Sequence, residues 1–243
     1  MNKTRDYEEL KPKIVLGVAA HPDDLDFSSS ATMAKFASEG AKVYYLLLTD
    51  GSKGSDDRSI SSTDLIAIRH EEQRLALKVL GGQEVTFLDY PDAYLEVTME
   101  LKKQIAAEIR KRKPDVVVTM DPTLVYSIER GFINHSDHRA AGQATIDAVF
   151  PIARDYLTFP ELYEQGLEPH KVKTLLLTNF DNPTYFIDVS QTMDKKFAAL
   201  KEHASQIKDM SMVQERFTTM AKKLGEQAGY TYAEGFVRLD LPL

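Results

Sequence analysis

Cysteine is absent from the 243 residues. Disulfides and thiolate metal sites are therefore excluded, and any metal must be held by His, Asp or Glu. A basic stripe is also missing. The net charge is −7 and the lysines and arginines are scattered, so nucleic acid is not an expected partner. No apolar run approaches the ~20 residues needed to span a bilayer. The first residues, Met1-Asn2-Lys3-Thr4-Arg5-Asp6-Tyr7-Glu8-Glu9, lack the apolar core of a signal peptide. A cytoplasmic protein without a membrane partner is expected. No glycine-rich phosphate loop succeeds the first apolar run, which argues against a nucleotide-binding oxidoreductase.

That run leads instead into Ala20-His21-Pro22-Asp23-Asp24. The run itself, residues 13–20, reads as a buried strand. Further strands are expected over 42–48, 84–88, 115–120, 172–178 and 184–189. Helical spacing marks 27–40, 63–80 and 95–113, then a helix from about Ser136 to Val149, then 190–207 and 211–229. In the second of these, Leu65, Ile68, Leu75 and Val79 lie on or near one face. Ser136 or Asp137 is the expected N-cap of the fourth. Residues 151–170 read as an excursion over the surface.

Strands alternating with helices imply an α/β protein with a mostly parallel sheet. With no repeat or linker, residues 1–243 read as one domain. Residues 12–150 form its core, and 151–243 are a C-terminal part that completes the fold. Polar residues succeed the strands at 21–24, 49–50, 89–92 and 121. In a parallel sheet these ends gather along one edge, where ligand sites of open α/β sheets form.

Two clusters have the composition of a metal site. The first is His21, Asp23 and Asp24; the second is His135-Ser136-Asp137-His138. A catalytic zinc takes three protein ligands and leaves a fourth position for water. Asp23 and Asp24 are adjacent, so their side chains diverge. One can ligate while the other stays free to take a proton. A first helical turn discourages protonation of His138, and a metal needs the neutral ring. Each cluster alone reads as something plainer: His-Pro-Asp-Asp as a turn, His-Ser-Asp-His as a capped helix start. Their joint placement at strand ends favours the metal reading. His70, His170 and His203 read as surface or packed residues. Arg69 beside Glu72 suits a surface ion pair of little energetic weight, and Pro91-Asp92 an ordinary turn.

These motifs resemble the PIG-L/LmbE-like family of zinc-dependent N-acetylglucosaminyl deacetylases. The supporting segments are Arg69-His70-Glu71-Glu72, Leu80-Gly81, Leu88-Asp89-Tyr90-Pro91-Asp92 and Pro114-Asp115-Val116-Val117. The match is looser at His203-Ala204-Ser205-Gln206 and Tyr232-Ala233-Glu234-Gly235-Phe236. The chain departs from the family at Leu25-Asp26-Phe27-Ser28-Ser29-Ser30, and the stretch from Glu129 to Asn134 matches no particular substrate class.

The resemblance implies a Rossmann-like three-layer sandwich with helices on both faces. It implies one zinc per subunit held by His21, Asp24 and His138, with Asp23 as general base for a metal-activated water. His135 would stabilise the oxyanion and protonate the leaving amine, and Asp137 would orient His135. Arg69 and Asp92 would contact the sugar. The implied substrate is a small N-acetylated amino-sugar conjugate, and the implied assembly a homo-oligomer. Two other readings stand beside it: a deacylase of a different N-acyl compound, and a non-catalytic metal-dependent sugar-binding protein. Magnesium-dependent phosphoryl chemistry is disfavoured by the histidines, since imidazole suits zinc better.

Overall fold

The fold grows from strand β1 (Ile14–Ala19), whose residues are buried on both faces except for the half-buried Ile14. Such burial is what a parallel strand covered by helices on both sides requires. The computed structural model describes residues 7–128 and 130–242. The part of the signal-peptide reading that rests on residues 1–6, and Glu129 of the unassigned stretch, lie outside the described residues.

After β1 come α1 (Asp24–Ser28), α2 (Ser30–Ser38), β2 (Lys42–Thr49), α3 (Ser62–Leu80), β3 (Glu84–Tyr90), α4 (Met99–Arg112) and β4 (Val116–Met120). A small hairpin, β5 (Tyr126–Ser127) and β6 (Phe132–Ile133), leads into α5 (Ser136–Asp147). The remainder carries α6 (Pro160–Glu164), β7 (Thr174–Thr178), β8 (Tyr185–Asp188), α7 (Met193–Glu202), α8 (Met210–Ala228) and β9 (Ala233–Asp240).

The seven-stranded sheet runs β3-β2-β1-β4-β7-β9-β8. Strands β3, β2, β1, β4 and β7 are parallel, and β9 is antiparallel to both its neighbours. The chain moves outward from β1 through β2 and β3, then returns to lay β4 on the other side. That reversal opens a crevice at the carboxyl ends of β1 and β4, the place where such sheets bind ligands. One apolar core, with Phe36, Tyr45, Leu77 and Met193, fills one face of the sheet. A second, with Leu16, Leu101, Ile105 and Val117, fills the other. The three-layer expectation is met, and 151–243 supply three strands of the same sheet. Among the described residues, no helix is long and apolar enough to cross a membrane.

Several expected elements differ. The helix expected over 27–40 is two helices that break at Ser29 (φ −147°). The hydroxyls of Ser28, Ser29 and Ser30 bond back to the carbonyls four residues earlier, a competition that bends helices. The helix expected from 95 begins at Met99, where Thr98 caps it through the Leu101 N–H. On α3, Ile68 and Leu75 are 41% and 39% exposed, whereas Arg69, Glu72 and Gln73 are buried. The inward face is partly polar because it serves the strand ends.

The excursion at 151–170 runs over the surface, as expected, but is anchored from beneath. The fully buried Arg110 of α4 donates to the carbonyls of Ile152, Ala153 and Asp155, and Leu162 is buried. Strand β9 had no sequence signal, because its Glu234 and Arg238 are charged yet buried.

Gly142 brings α5 against the end of β4. A Cβ there would collide with the Met120 carbonyl oxygen, a backbone atom that cannot rotate away. Gly142→Ala should therefore lower stability by about 1–3 kcal/mol, the usual cost of overpacking. Urea unfolding checks this, and an unchanged midpoint would contradict it.

Candidate active site

The first functional segment leaves β1 through Pro22 and turns at Asp23, whose backbone is left-handed (φ 93°). Asparagine and aspartate tolerate this region better than most residues. Two side chains of α3 hold the turn. Gln73 Oε1 accepts the Asp23 N–H at 2.8 Å. Arg69 donates to the carbonyls of Pro22 (2.7 Å) and Gly51 (2.9 Å) and reaches the Asp23 carboxylate at 3.3 Å. A Cβ on Gly54 would lie 2.6 Å from Arg69 Nη1, so the loop after β2 closes directly on the guanidinium. The turn sends the two aspartates apart. Asp24 opens α1 and faces His21 and His138; Asp23 faces Arg69.

The second segment comes after the hairpin. Asn134 is buried, and its amide bonds the Leu124 carbonyl at 2.8 Å. The expected cap of α5 was Ser136 or Asp137; the structure uses His135, whose Nδ1 accepts the Asp137 N–H at 3.2 Å. The neutral ring therefore carries its proton on Nε2. The His21 and His135 rings lie 4.8 Å apart, and those of His21 and His138 5.2 Å.

These contacts define a donor set. His21 Nε2 lies 3.2 Å from Asp92 Oδ1 and 3.3 Å from Asp137 Oδ2, leaving Nδ1 beside Asp24 Oδ2 at 3.4 Å. His138 Nδ1 pairs with Asn134 Oδ1 at 3.0 Å, leaving Nε2 at 3.1 Å from Asp24 Oδ1. Each ring thus turns one nitrogen to a polar anchor and the other to the Asp24 carboxylate. Metal-binding histidines are oriented in this way. His21, His135 and His138 bring ligand atoms within 4.8 Å of one another, as do His21, Asp92 and Asp137.

The electrostatics agree. Burial opposes charge on His21, but Asp24, Asp137 and Asp92 outweigh it and push its pKa up to about 12. Burial would raise Asp92, yet the His21 bond holds it at about 2. Such a concentration of carboxylates favours a cation, and the donors present fit a divalent metal. Asp23 differs: burial raises its pKa to about 6 despite Arg69. His135 is lowered by burial and by the neighbouring His21, which keeps the ring neutral.

The eight sequence-predicted residues are together. His21, Asp23, Asp24, Arg69, Asp92, His135 and His138 line one polar cleft of about 460 Å³, and Asp137 is fully buried at its floor. Two of them also contact His21, which the sequence did not indicate. Asp137 lies 4.0 Å from His135 Nδ1 but 3.3 Å from His21 Nε2, so its carboxylate orients His21. Asp92 is also buried on His21, although it borders the cleft. Arg69 is not the surface partner of Glu72, which instead binds Ser205.

Residues 16–149, more than half of the chain, match the family model described as PIG-L, GlcNAc-PI de-N-acetylase. The chain belongs to the PIG-L family. It is 35% identical to a diacetylchitobiose deacetylase of Thermococcus kodakarensis over 92% of this chain and 82% of that protein. The solved N,N'-diacetylchitobiose deacetylase of Pyrococcus horikoshii superposes with a TM-score of 0.86 at 31% identity, covering 94% of this chain and 84% of that one. A 4-carboxy-2-hydroxymuconate hydratase of Pseudomonas putida shares the fold (TM-score 0.79, 20% identity, 95% and 98% covered). Fold alone therefore does not choose the chemistry.

Within this PIG-L site, several functional residues carried no sequence signal of their role. Gln73 Nε2 donates to Asp26 Oδ2 at 2.7 Å, and His203 Nε2 reaches the same oxygen at 2.9 Å. Glu234 accepts the Thr32 N–H at the start of α2 and pairs with Lys196 at 2.7 Å. The C-terminal half thus braces α1 and α2 from behind. His203 and Glu234 fall in the looser matching segments, which was the one available clue. Removing one partner of a buried pair strands the other, so His203→Phe should cost about 3–5 kcal/mol. Denaturant unfolding of His203→Phe, of Asp26→Leu and of the double variant tests the pairing. The double variant should be less destabilised than the sum of the singles.

Proposed function

We propose that the protein is a zinc-dependent hydrolase that removes the N-acetyl group from a small N-acetylglucosamine-containing conjugate. The carrying observation is the division between Asp23 and Asp24. Asp24 lies against both His21 Nδ1 (3.4 Å) and His138 Nε2 (3.1 Å), while Asp23 lies against Arg69. A pure binding protein has no use for a free carboxylate poised beside a metal site. The chain acts as one domain, with one zinc per subunit on His21, Asp24 and His138. Diacetylchitobiose, the substrate in the names of two relatives, is the first compound to try.

Zinc supplies Lewis acidity toward the acetamide oxygen and lowers the pKa of the attacking water. The chain supplies the rest. Asp23 takes the water proton, held in place by Arg69 and by the Gln73 bond to its backbone. His135, with its proton on Nε2, donates to the oxygen that gains charge as water adds to the carbonyl carbon. The carbon–nitrogen bond then breaks, and the proton taken by Asp23 passes to the leaving nitrogen. Asp92 and Asp137 act through His21, fixing which nitrogen faces the metal. Arg69, Lys53 and Gln206 border the polar cleft and offer donors to sugar hydroxyls.

Asp23→Asn should keep its zinc and lose about a hundredfold to ten-thousandfold in kcat, the range assigned to general base catalysis. Amine release from diacetylchitobiose, read beside metal analysis of the same sample, checks both halves. Full turnover in a zinc-loaded Asp23→Asn protein would sink the assignment. His138→Ala should instead purify with clearly less zinc than the parent.

A further inference from the structure

The cluster at Asp24, His135 and His138 borders two spaces. One is the polar cleft already described, with Arg69, Lys53, Asp92 and Gln206. The other is a cavity of about 330 Å³ on the β4 side. Its walls are apolar: Phe27, Met120, Leu124, Phe132, Ile133 and Phe180. Several of its polar residues are engaged with neighbours, although Arg130 Nη2 has no hydrogen-bond partner. Asp121 accepts from Asn179 at 2.7 Å and from Thr123. Arg130 is paired with Asp181 at 2.8 Å and lies over the Phe132 ring at 4.4 Å.

An amide substrate has two substituents, and in the trans form they leave the carbonyl on opposite sides. With the carbonyl carbon at the cluster, one substituent enters each space. The hydroxyl-rich sugar matches the cleft that offers charged donors and acceptors. The acyl group then falls to the apolar side. A methyl group needs little of that cavity, since about 150 Å³ of apolar space already holds a benzene molecule.

We propose that this cavity receives the acyl group, and that the protein hydrolyses amino-sugar amides with acyl chains longer than acetyl. The inference rests on the deacetylase reading above and extends its substrate class. The bond changes are those of hydrolysis. Water oxygen joins the acyl carbon, the carbon–nitrogen bond breaks, and the amine nitrogen keeps its electron pair and takes the proton. The products are a longer-chain carboxylic acid and the free amino sugar.

The test compares N-acetyl, N-butanoyl and N-hexanoyl forms of one glucosamine conjugate with the zinc-loaded full chain. The expected kcat/KM for the longer acyl groups equals or exceeds that for acetyl, by up to about fourfold per buried methylene. Leu124→Trp, which fills the cavity, should lower the hexanoyl-to-acetyl ratio of kcat/KM at least tenfold. A fall of more than a hundredfold from acetyl to butanoyl in the parent would overturn the inference and leave the deacetylase reading standing. The inference is equally overturned if Leu124→Trp changes only the preference among groups attached to the sugar, for then the cavity holds that group. Failure to hydrolyse even the N-acetyl form would overturn both readings together.

Discussion

The site depends on one backbone constraint, the left-handed turn at Asp23. Strand β1 points its end at the crevice, and the turn then sends two adjacent carboxylates to different partners, Asp24 to His21 and His138 and Asp23 to Arg69. A non-glycine residue in such a conformation costs about 1–3 kcal/mol unless its surroundings enforce it. Here they do. Gln73 holds the Asp23 N–H, and Arg69 holds the preceding carbonyl and the Asp23 carboxylate itself. Relaxing the turn would swing Asp23 away from Arg69 and break the geometry that leaves it free.

That constraint explains why the inner face of α3 is polar. Arg69, Glu72 and Gln73 are buried there, where three apolar side chains would pack with less desolvation cost. Buried polar groups are tolerable only when their bonds are made. Gln73 uses both ends of its amide, to Asp23 and Asp26, and Glu72 takes both donors of Ser205. The network continues through Asp26 to His203, just past the end of α7, so parts of the chain far apart in sequence hold one turn together.

A second economy concerns imidazole orientation. A histidine ring can face a metal with either nitrogen, and the choice is made by what the other nitrogen meets. Asp92 and Asp137 make it for His21, and Asn134 makes it for His138. The same carboxylates surround His21 with negative charge and so favour a cation at the centre. Ring orientation and attraction for the metal thus come from the same residues.

The sequence by itself determined the α/β class, the parallel core from β1 to β4, and the two clusters that form the site. Short continuous apolar runs and a His-Pro-Asp-Asp segment at a strand end are local signals, so they survive in a one-dimensional reading. It also carried the family resemblance through His21, Asp24 and His138. Tertiary structure alone decided what depends on distant partners. Nothing near Asp137 in sequence reveals that its carboxylate faces His21 rather than His135, because the contact spans 116 positions. Charged Glu234 and Arg238 hid β9, since a buried charge looks exposed until its partner is known. Likewise the apolar cavity beside the cluster is assembled from α1, β4, the β5–β6 hairpin and the end of β7. No single segment contains enough of it to be recognised, and only the folded sheet edge brings its walls together.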